Sequence, residues 1–341
     1  MSHRALALLL LAFAAAPAAA ATRYASNDGG DSEGCGSKVN PCRSISRAIA
    51  HASPGDTVLV GPGRYGNLDG DAELGEDGEE GQVAECSCAV YVDRRISLRS
   101  RDGAAATVIE GGLEALAIRV DAPGSEIGRR NAGFTIFAKT GGGVSTHTIA
   151  TDVRIAGNIV IAAAPIVLNM MTIDGDGTRV SDNRVVSVEG GIGLLGPQSV
   201  AERNAVHGGG SLAHGSTFRS HVGIGQFGLL ATGDGVGAVS RSLLAGNLGP
   251  GLWTFGTNTL RADRVSLFGN GAGEFPQHAP AFNCGALADE DSAIEIERSY
   301  WGGPFGPGAD PGDAVCERAA GSIAAGPPTR TEIRVKLRAI R

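Results

Sequence analysis

A short strand pattern recurs between Val153 and Trp301, and it limits the chain to very few architectures. It reads Ile155-Ala-Gly-Asn-Ile-Val-Ile161, then Val180-Ser-Asp-Asn-Arg-Val-Val186, then Ala201-Glu-Arg-Asn-Ala-Val206. Weaker copies follow at Val239–Leu244, Arg264–Leu267 and Ile296–Trp301. Aligned on Val160, Val185, Val206, Leu244, Leu267 and Trp301, the copies are 25, 21, 38, 23 and 34 residues apart. Self-similarity at such spacing marks a repeat architecture. The unit is a β-branched strand between Gly and Asn turns, without helical period. A β-solenoid follows, in which three steps are single windings and the two long steps predict a winding plus an inserted loop.

Glycine supports many tight turns. It fills 53 of 341 positions, more than twice the usual share of about 7%. No G-X-Y period is present, so collagen is excluded. Gly alone enters positive φ without steric cost, which short strands joined by sharp corners require. The net charge is −7 and lysine occurs only at Lys38, Lys139 and Lys336. A nucleic-acid partner needs a basic stripe, so none is expected.

Arg4 followed by the apolar run Ala5–Ala16, with Pro17 and small residues Ala18–Ala21, reads as a signal peptide over residues 1–21. No other stretch is apolar enough to span a bilayer. The expected product is secreted or periplasmic, monomeric, and a single domain over 22–341. Its parts are a cap and first strand (22–65), an acidic insertion (66–88), coils (89–301) and a closing segment (302–341). Six cysteines fit an oxidising compartment. Proximity favours Cys35–Cys42 and Cys284–Cys316. Cys86 and Cys88 read as an i, i+2 pair on one strand face, where direct closure would be strained. Other pairings stay open at this level.

Near the start, Ile45, Ala48, Ile49 and Ala52 share one helical face, and Pro54-Gly55-Asp56 stops the helix. A helix there is placed to cover the open first rung of a solenoid. At the other end, residues 333–338 alternate apolar with basic and read as an edge strand. The stretch Asn40-Pro-Cys-Arg-Ser-Ile-Ser-Arg-Ala-Ile49, with Ala52-Ser-Pro-Gly-Asp-Thr-Val-Leu-Val60 and Gly61-Pro-Gly-Arg-Tyr65, resembles the N-terminal module of pectate-lyase-like right-handed parallel β-helix proteins. Arg95–Gly103 and Ala106–Gly111 resemble its next coil, and Ser299-Tyr-Trp-Gly-Gly-Pro-Phe-Gly-Pro-Gly308 resembles the closing segment of many secreted members. The resemblance covers most of residues 24–316. It implies an all-β, right-handed parallel β-helix with an N-terminal capping helix. It does not select an activity, since that superfamily holds lyases, glycosidases, esterases, epimerases and proteins without known activity.

Several residue sets are candidates for chemistry. In a parallel β-helix, rungs are roughly 4.8 Å apart and each residue stacks on its counterpart one coil later. Asn158, Asn183 and Asn204 are such counterparts, with Ser242 and Ser299 extending the row, and read as an internal ladder of stacked polar groups. Asp69, Asp71, Glu73, Asp77 and Glu80 stand at positions 1, 3, 5, 9 and 12 of a calcium-type loop, although Leu74 replaces the required glycine. Bound Ca²⁺ is therefore a candidate cofactor. His207, His214, Arg219 and His221 fall in the surplus of the 38-residue step. Histidines exchange protons near neutral pH and Arg pairs with a carboxylate, so they are the candidate catalytic set. Trp253 and Phe255 are the candidate sugar-stacking pair in a chain with 5% aromatics. Asp174, Asp176 and Asp182 lie close in sequence but in turn-like context, and the polygalacturonase and pectin-esterase patterns are absent.

These readings favour a protein that binds extracellular or cell-envelope polysaccharide. A polysaccharide lyase or related carbohydrate-active enzyme acting on acidic glycans is the alternative, and a structural or adhesive surface protein the second.

Overall fold

The computed structural model describes residues 19–71, 73–162, 169–188, 191–271, 284–308 and 313–337, with the side chains of 169 and 170 excepted. The expected leader lies outside them except for residues 19–21.

Strands too short to stand alone stack here into three long parallel sheets. Sheet A has twelve strands, from Thr22–Ala25 to Ser322–Ala325. Sheet B has nine, from Gly63–Gly66 to Ser266–Phe268, and sheet C ten, from Cys88–Val92 to Ala314–Glu317. From Thr57 to Ala288 each winding gives one strand to A, then B, then C, in a right-handed parallel β-helix. Parallel neighbours require a crossover, and the chain supplies it by travelling through the other two sheets.

Alternation along each strand sends one side chain inward, and register stacks it on its counterpart. In sheet A the inner row runs Val58, Leu98, Ile127, Ile155, Val180, Ala201, Phe218, Val239. In sheet B it runs Tyr65, Ile109, Ile136, Val160, Val185, Val206, Gly223, Leu244, Leu267. These residues form one continuous apolar core, because every outward neighbour of a buried residue is also fixed by the period of two.

The 38-residue step holds no inserted loop. It contains a complete extra winding: Thr217–Arg219 in A, Val222–Gly225 in B and Leu229–Ala231 in C. Gly223 is the rung between Val206 and Leu244. It lacks the β-branched signature because Phe218 and His221 fill the core of that winding, both fully buried with ring centroids 5.0 Å apart. A Cβ on Gly223 would stand 3.1 Å from the Leu244 side chain.

The asparagine row is internal. Asn158 Nδ2 donates to Asn183 Oδ1 at 3.2 Å, and Asn183 Nδ2 to Asn204 Oδ1 at 3.1 Å. The same oxygens accept the backbone N–H of the preceding rung. Ser242 Oγ accepts from the His221 N–H and Ser299 Oγ from the Val265 N–H, so both serines continue the device. A second, shorter ladder joins Asn247 to Asn270 at the B–C corner, ending on buried Asp313.

The helix forms as Ile45–Ala50, N-capped by Ser44, with Ile45, Ala48 and Ile49 buried. It packs against Thr22–Ala25, Thr57–Val60 and Cys88–Val92. Its first turn is held by an unexpected partner. The buried Glu80 carboxylate accepts the N–H groups of Ile45 and Ser46, which the helix cannot satisfy itself. Burial pushes this carboxyl up to about 7. Arg43 Nε donates to Gly78 O at 3.0 Å, so the acidic insertion folds back onto the helix.

All three cysteine pairs close: Cys35–Cys42, Cys86–Cys88 and Cys284–Cys316. The expectation against Cys86–Cys88 fails because Cys86 is not in a strand. The strand begins at Cys88, and Ser87 turns the chain with φ 47°. The tail is not an edge strand either. Residues 332–337 are irregular, and Ile333 N–H donates to Ser266 Oγ at 2.8 Å, against the last strand of sheet B.

Candidate functional site

The outer face of sheet C carries one row through the whole β-helix. Register aligns Tyr91, Arg119, Ser145, Thr172, Gly193, Leu212, Leu230, Trp253, Leu287 and Cys316. Each alternates with inward neighbours, as Arg119 does between Ile118 and Val120 and Ser145 between Val144 and Thr146.

The first half of this row is polar and cross-linked. Tyr91 Oη donates to Asp121 Oδ2 at 2.9 Å, and Arg119 Nε donates to Asp121 Oδ1 at 2.7 Å. Arg119 Nη1 donates to Ser145 Oγ at 2.9 Å. The guanidinium is thus fixed on two sides, 19% exposed. Its Nη2 makes no hydrogen bond among the described residues. Burial, then the hydrogen bond to the anionic Asp121, raises the Tyr91 phenol, so it stays protonated and able to donate. Asp174 stands one winding beyond Thr146 and two beyond Arg119, with its N–H on Thr146 Oγ1 at 3.0 Å. Burial raises its carboxyl, opposed by the positive charges of Arg119 and His147. The face therefore offers a rigid cation, a phenolic donor, a serine and a partly desolvated carboxyl group.

The second half is apolar. Leu230, Trp253 and Leu287 form a cluster outside the main core, joined by Leu212, Phe227, Phe255 and Cys316. Trp253 meets Phe227 edge-on at 6.2 Å and Phe255 at 6.1 Å. Trp253 is only 7% exposed, so its ring packs within the protein rather than offering an open stacking platform.

The histidine set is dispersed. His207 lies on the sheet B strand Ala205–Gly208, half-buried, its imidazole lowered by burial and by Arg184. His214 follows the sheet C strand Ser211–Ala213. His221 occupies the ladder position inside the core, against Ser211 Oγ at 3.2 Å, and burial pushes it down to about 3. Only Arg219 is exposed, at the end of a sheet A strand. One winding visits three faces, so closeness in sequence does not bring the four together. Of the acidic set, Asp69 and Asp71 come together, and the third ligand oxygen within 4.8 Å belongs to Glu76, outside the set, rather than to Glu73 or Asp77; all three are exposed. Glu80 is committed to the helix instead. Asp182 is paired with Arg203, with Nε–Oδ1 at 2.8 Å, which takes it out of any pair with Asp174.

No family model and no curated protein matches the chain. Solved structures do. The chain has the fold of the pectate-lyase-like β-helices. A rhamnogalacturonan lyase superposes with a TM-score of 0.51 at 11% identity, over 81% of this chain and 82% of that one. Pectate lyase Pel9A gives 0.41 at 16% identity, covering 93% and 78%. The alginate lyase from Paenibacillus sp. str. FPU-7 gives 0.38 at 13%, covering 91% and 98%. At these identities the likeness is one of fold.

Proposed function

We propose that this β-helix binds an acidic polysaccharide along the polar half of the outer face of sheet C. Arg119 carries the reading. Its guanidinium is held by Asp121 and Ser145 while one nitrogen keeps its N–H groups for a ligand carboxylate. Counterparts on adjacent rungs, roughly 4.8 Å apart, make a track suited to an extended chain. Three disulfides support an oxidising compartment, and the apolar leader supports export. Among the described residues no helix is long and apolar enough to cross a membrane. The helix Ile45–Ala50 serves as the cap of the first rung.

The test is retention on immobilised polyuronates, with and without Ca²⁺. Arg119→Ala is expected to weaken retention by about tenfold or more, the worth of charge-assisted hydrogen bonds. Equal retention of the variant defeats the assignment. A second reading, elimination from a uronate, draws on Tyr91 one winding before Arg119 and Asp174 two windings after it. Arg119 neutralises the carboxylate, a base takes the C5 proton, the C4–O bond breaks, and the leaving oxygen gains a proton as the C4–C5 double bond forms. Unsaturated-uronide absorbance distinguishes it from binding alone. Neither retention nor product would favour a structural or adhesive role.

A further inference from the structure

A second charged site stands away from sheet C, at the corner between sheets A and B. Just before each ladder residue, and before Val265 at the same corner, the backbone enters the left-handed region at Gly157, Asp182, Arg203, Ser220, Arg241, Arg264 and Arg298. Gly, Asn and Asp take that conformation most cheaply. Arginine occupies four of these corners, so the backbone alone does not explain the choice. Most of these cations are already matched. Arg203 is bidentate to Asp182, with contacts of 2.8 and 2.9 Å, and also meets Glu202. Arg264 and Arg298 share Asp263.

Arg219 and Arg241 differ. Both are exposed, and neither guanidinium has a hydrogen bond or ion pair among the described residues. They line one cleft of about 300 Å³ with Ser220 and Ser240, bounded by Glu202 on one side and by Asp263 with Arg264 on the other. Register places Arg219 beside Ser240, the residue before Arg241. The two serine hydroxyls also make no hydrogen bond among the described residues. The cleft therefore presents two unmatched guanidinium groups and two hydroxyls, on adjacent rungs of a rigid scaffold.

We propose that this cleft binds a tetrahedral oxyanion ester, a sulfate or phosphate carried on a sugar-sized unit. A carboxylate has two oxygens and satisfies one guanidinium fork, whereas a sulfate or phosphate ester has three terminal oxygens to share between two forks and a hydroxyl. The volume matches the lower end of small-ligand sites. Acids at Asp182, Glu202, Asp263 and Glu297 punctuate the row, so it suits a discrete anionic group better than a uniformly charged polymer.

Calorimetric titration with glucose 6-sulfate, glucose 6-phosphate and glucuronate tests this. Either ester or both should bind, at least tenfold tighter than glucuronate, and the preference between the two identifies the source. Arg219→Gln combined with Arg241→Gly should weaken ester binding at least tenfold. Glycine keeps the φ of 50° at position 241. Arg219→Gln alone changes only an exposed side chain and should weaken binding severalfold if the double variant is unstable. Arg154→Gln, another exposed cation on sheet A, and Arg119→Ala on sheet C should leave it unchanged. Absence of ester binding, equal affinity for glucuronate, or unchanged affinity in the Arg219 and Arg241 variants overturns the proposal.

Discussion

The outer row of sheet C is one line of equivalent positions, yet its two halves are different materials. From Tyr91 to Thr172 it is hydroxyl and guanidinium chemistry beside the carboxyl groups of Asp121 and Asp174, with Arg119 19% exposed. From Leu212 to Leu287 it is a hydrophobic cluster in which Leu230, Trp253 and Leu287 are 8%, 7% and 3% exposed. Backbone, register and spacing are shared. The comparison shows that a β-helix face becomes a site or a seam according to a few outward residues, while the inward residues keep the same scaffold beneath both.

That contrast breaks most visibly at Trp253. Truncation to Ala should cost about 3–5 kcal/mol, as for other large buried aromatics, read by denaturant unfolding, with polyuronate retention kept wherever the variant is folded. Arg119→Ala should do the reverse. Its ion pair with Asp121 is partly solvated, so stability should move by less than about 1 kcal/mol, while retention falls about tenfold. If Arg119→Ala unfolds the protein or Trp253→Ala abolishes retention in folded material, the division between site and seam is wrong.

Smaller effects come from one buried ionisable group behind each half. His221 sits in the winding where the row turns apolar. Its folded value of about 3 lies below the ordinary 6.5, so the stability it allows is complete above pH 6.5 and is lost as pH falls toward 3. His221→Asn, which restores the ladder residue, should flatten that acid limb in unfolding measured across pH. Glu80 lies under the polar end, where Ser46 Oγ also bonds Ala89 O at 3.3 Å. Its folded value of about 7 lies above the ordinary 4.5. Its contribution is therefore complete below pH 4.5 and is lost as pH rises through about 7. Glu80→Gln should flatten this limb in unfolding measured across pH. Opposite slopes for the two variants sharpen the comparison, and slopes of the same sign would refute it.

The scaffold was legible where residues repeat their chemistry. Val160, Val185 and Val206 are true rungs, and Asn158, Asn183 and Asn204 are a true ladder. The winding through Gly223 was hidden because Phe218 and His221 moved its core volume to other positions. The polar row was harder still. Tyr91, Arg119, Ser145 and Thr172 are 28, 26 and 27 residues apart, a spacing visible only once the sheet C strands are aligned. Outward residues carry no apolar period that would announce them.

The sequence by itself determined that short β strands would stack in parallel with a polar ladder at one corner, because inward packing repeats the same demand every winding. It also placed the helix face of Ile45, Ala48 and Ile49. Only the tertiary structure decided which residues meet across windings. Glu80 left the acidic loop for the helix N-terminus, since buried N–H groups require a partner. The histidines separated onto different faces, since one winding turns the chain through all three sheets. Arg119 and Arg219, 100 residues apart in the chain, became centres of two separate candidate sites, because neighbours in a β-helix are set by register rather than by sequence distance.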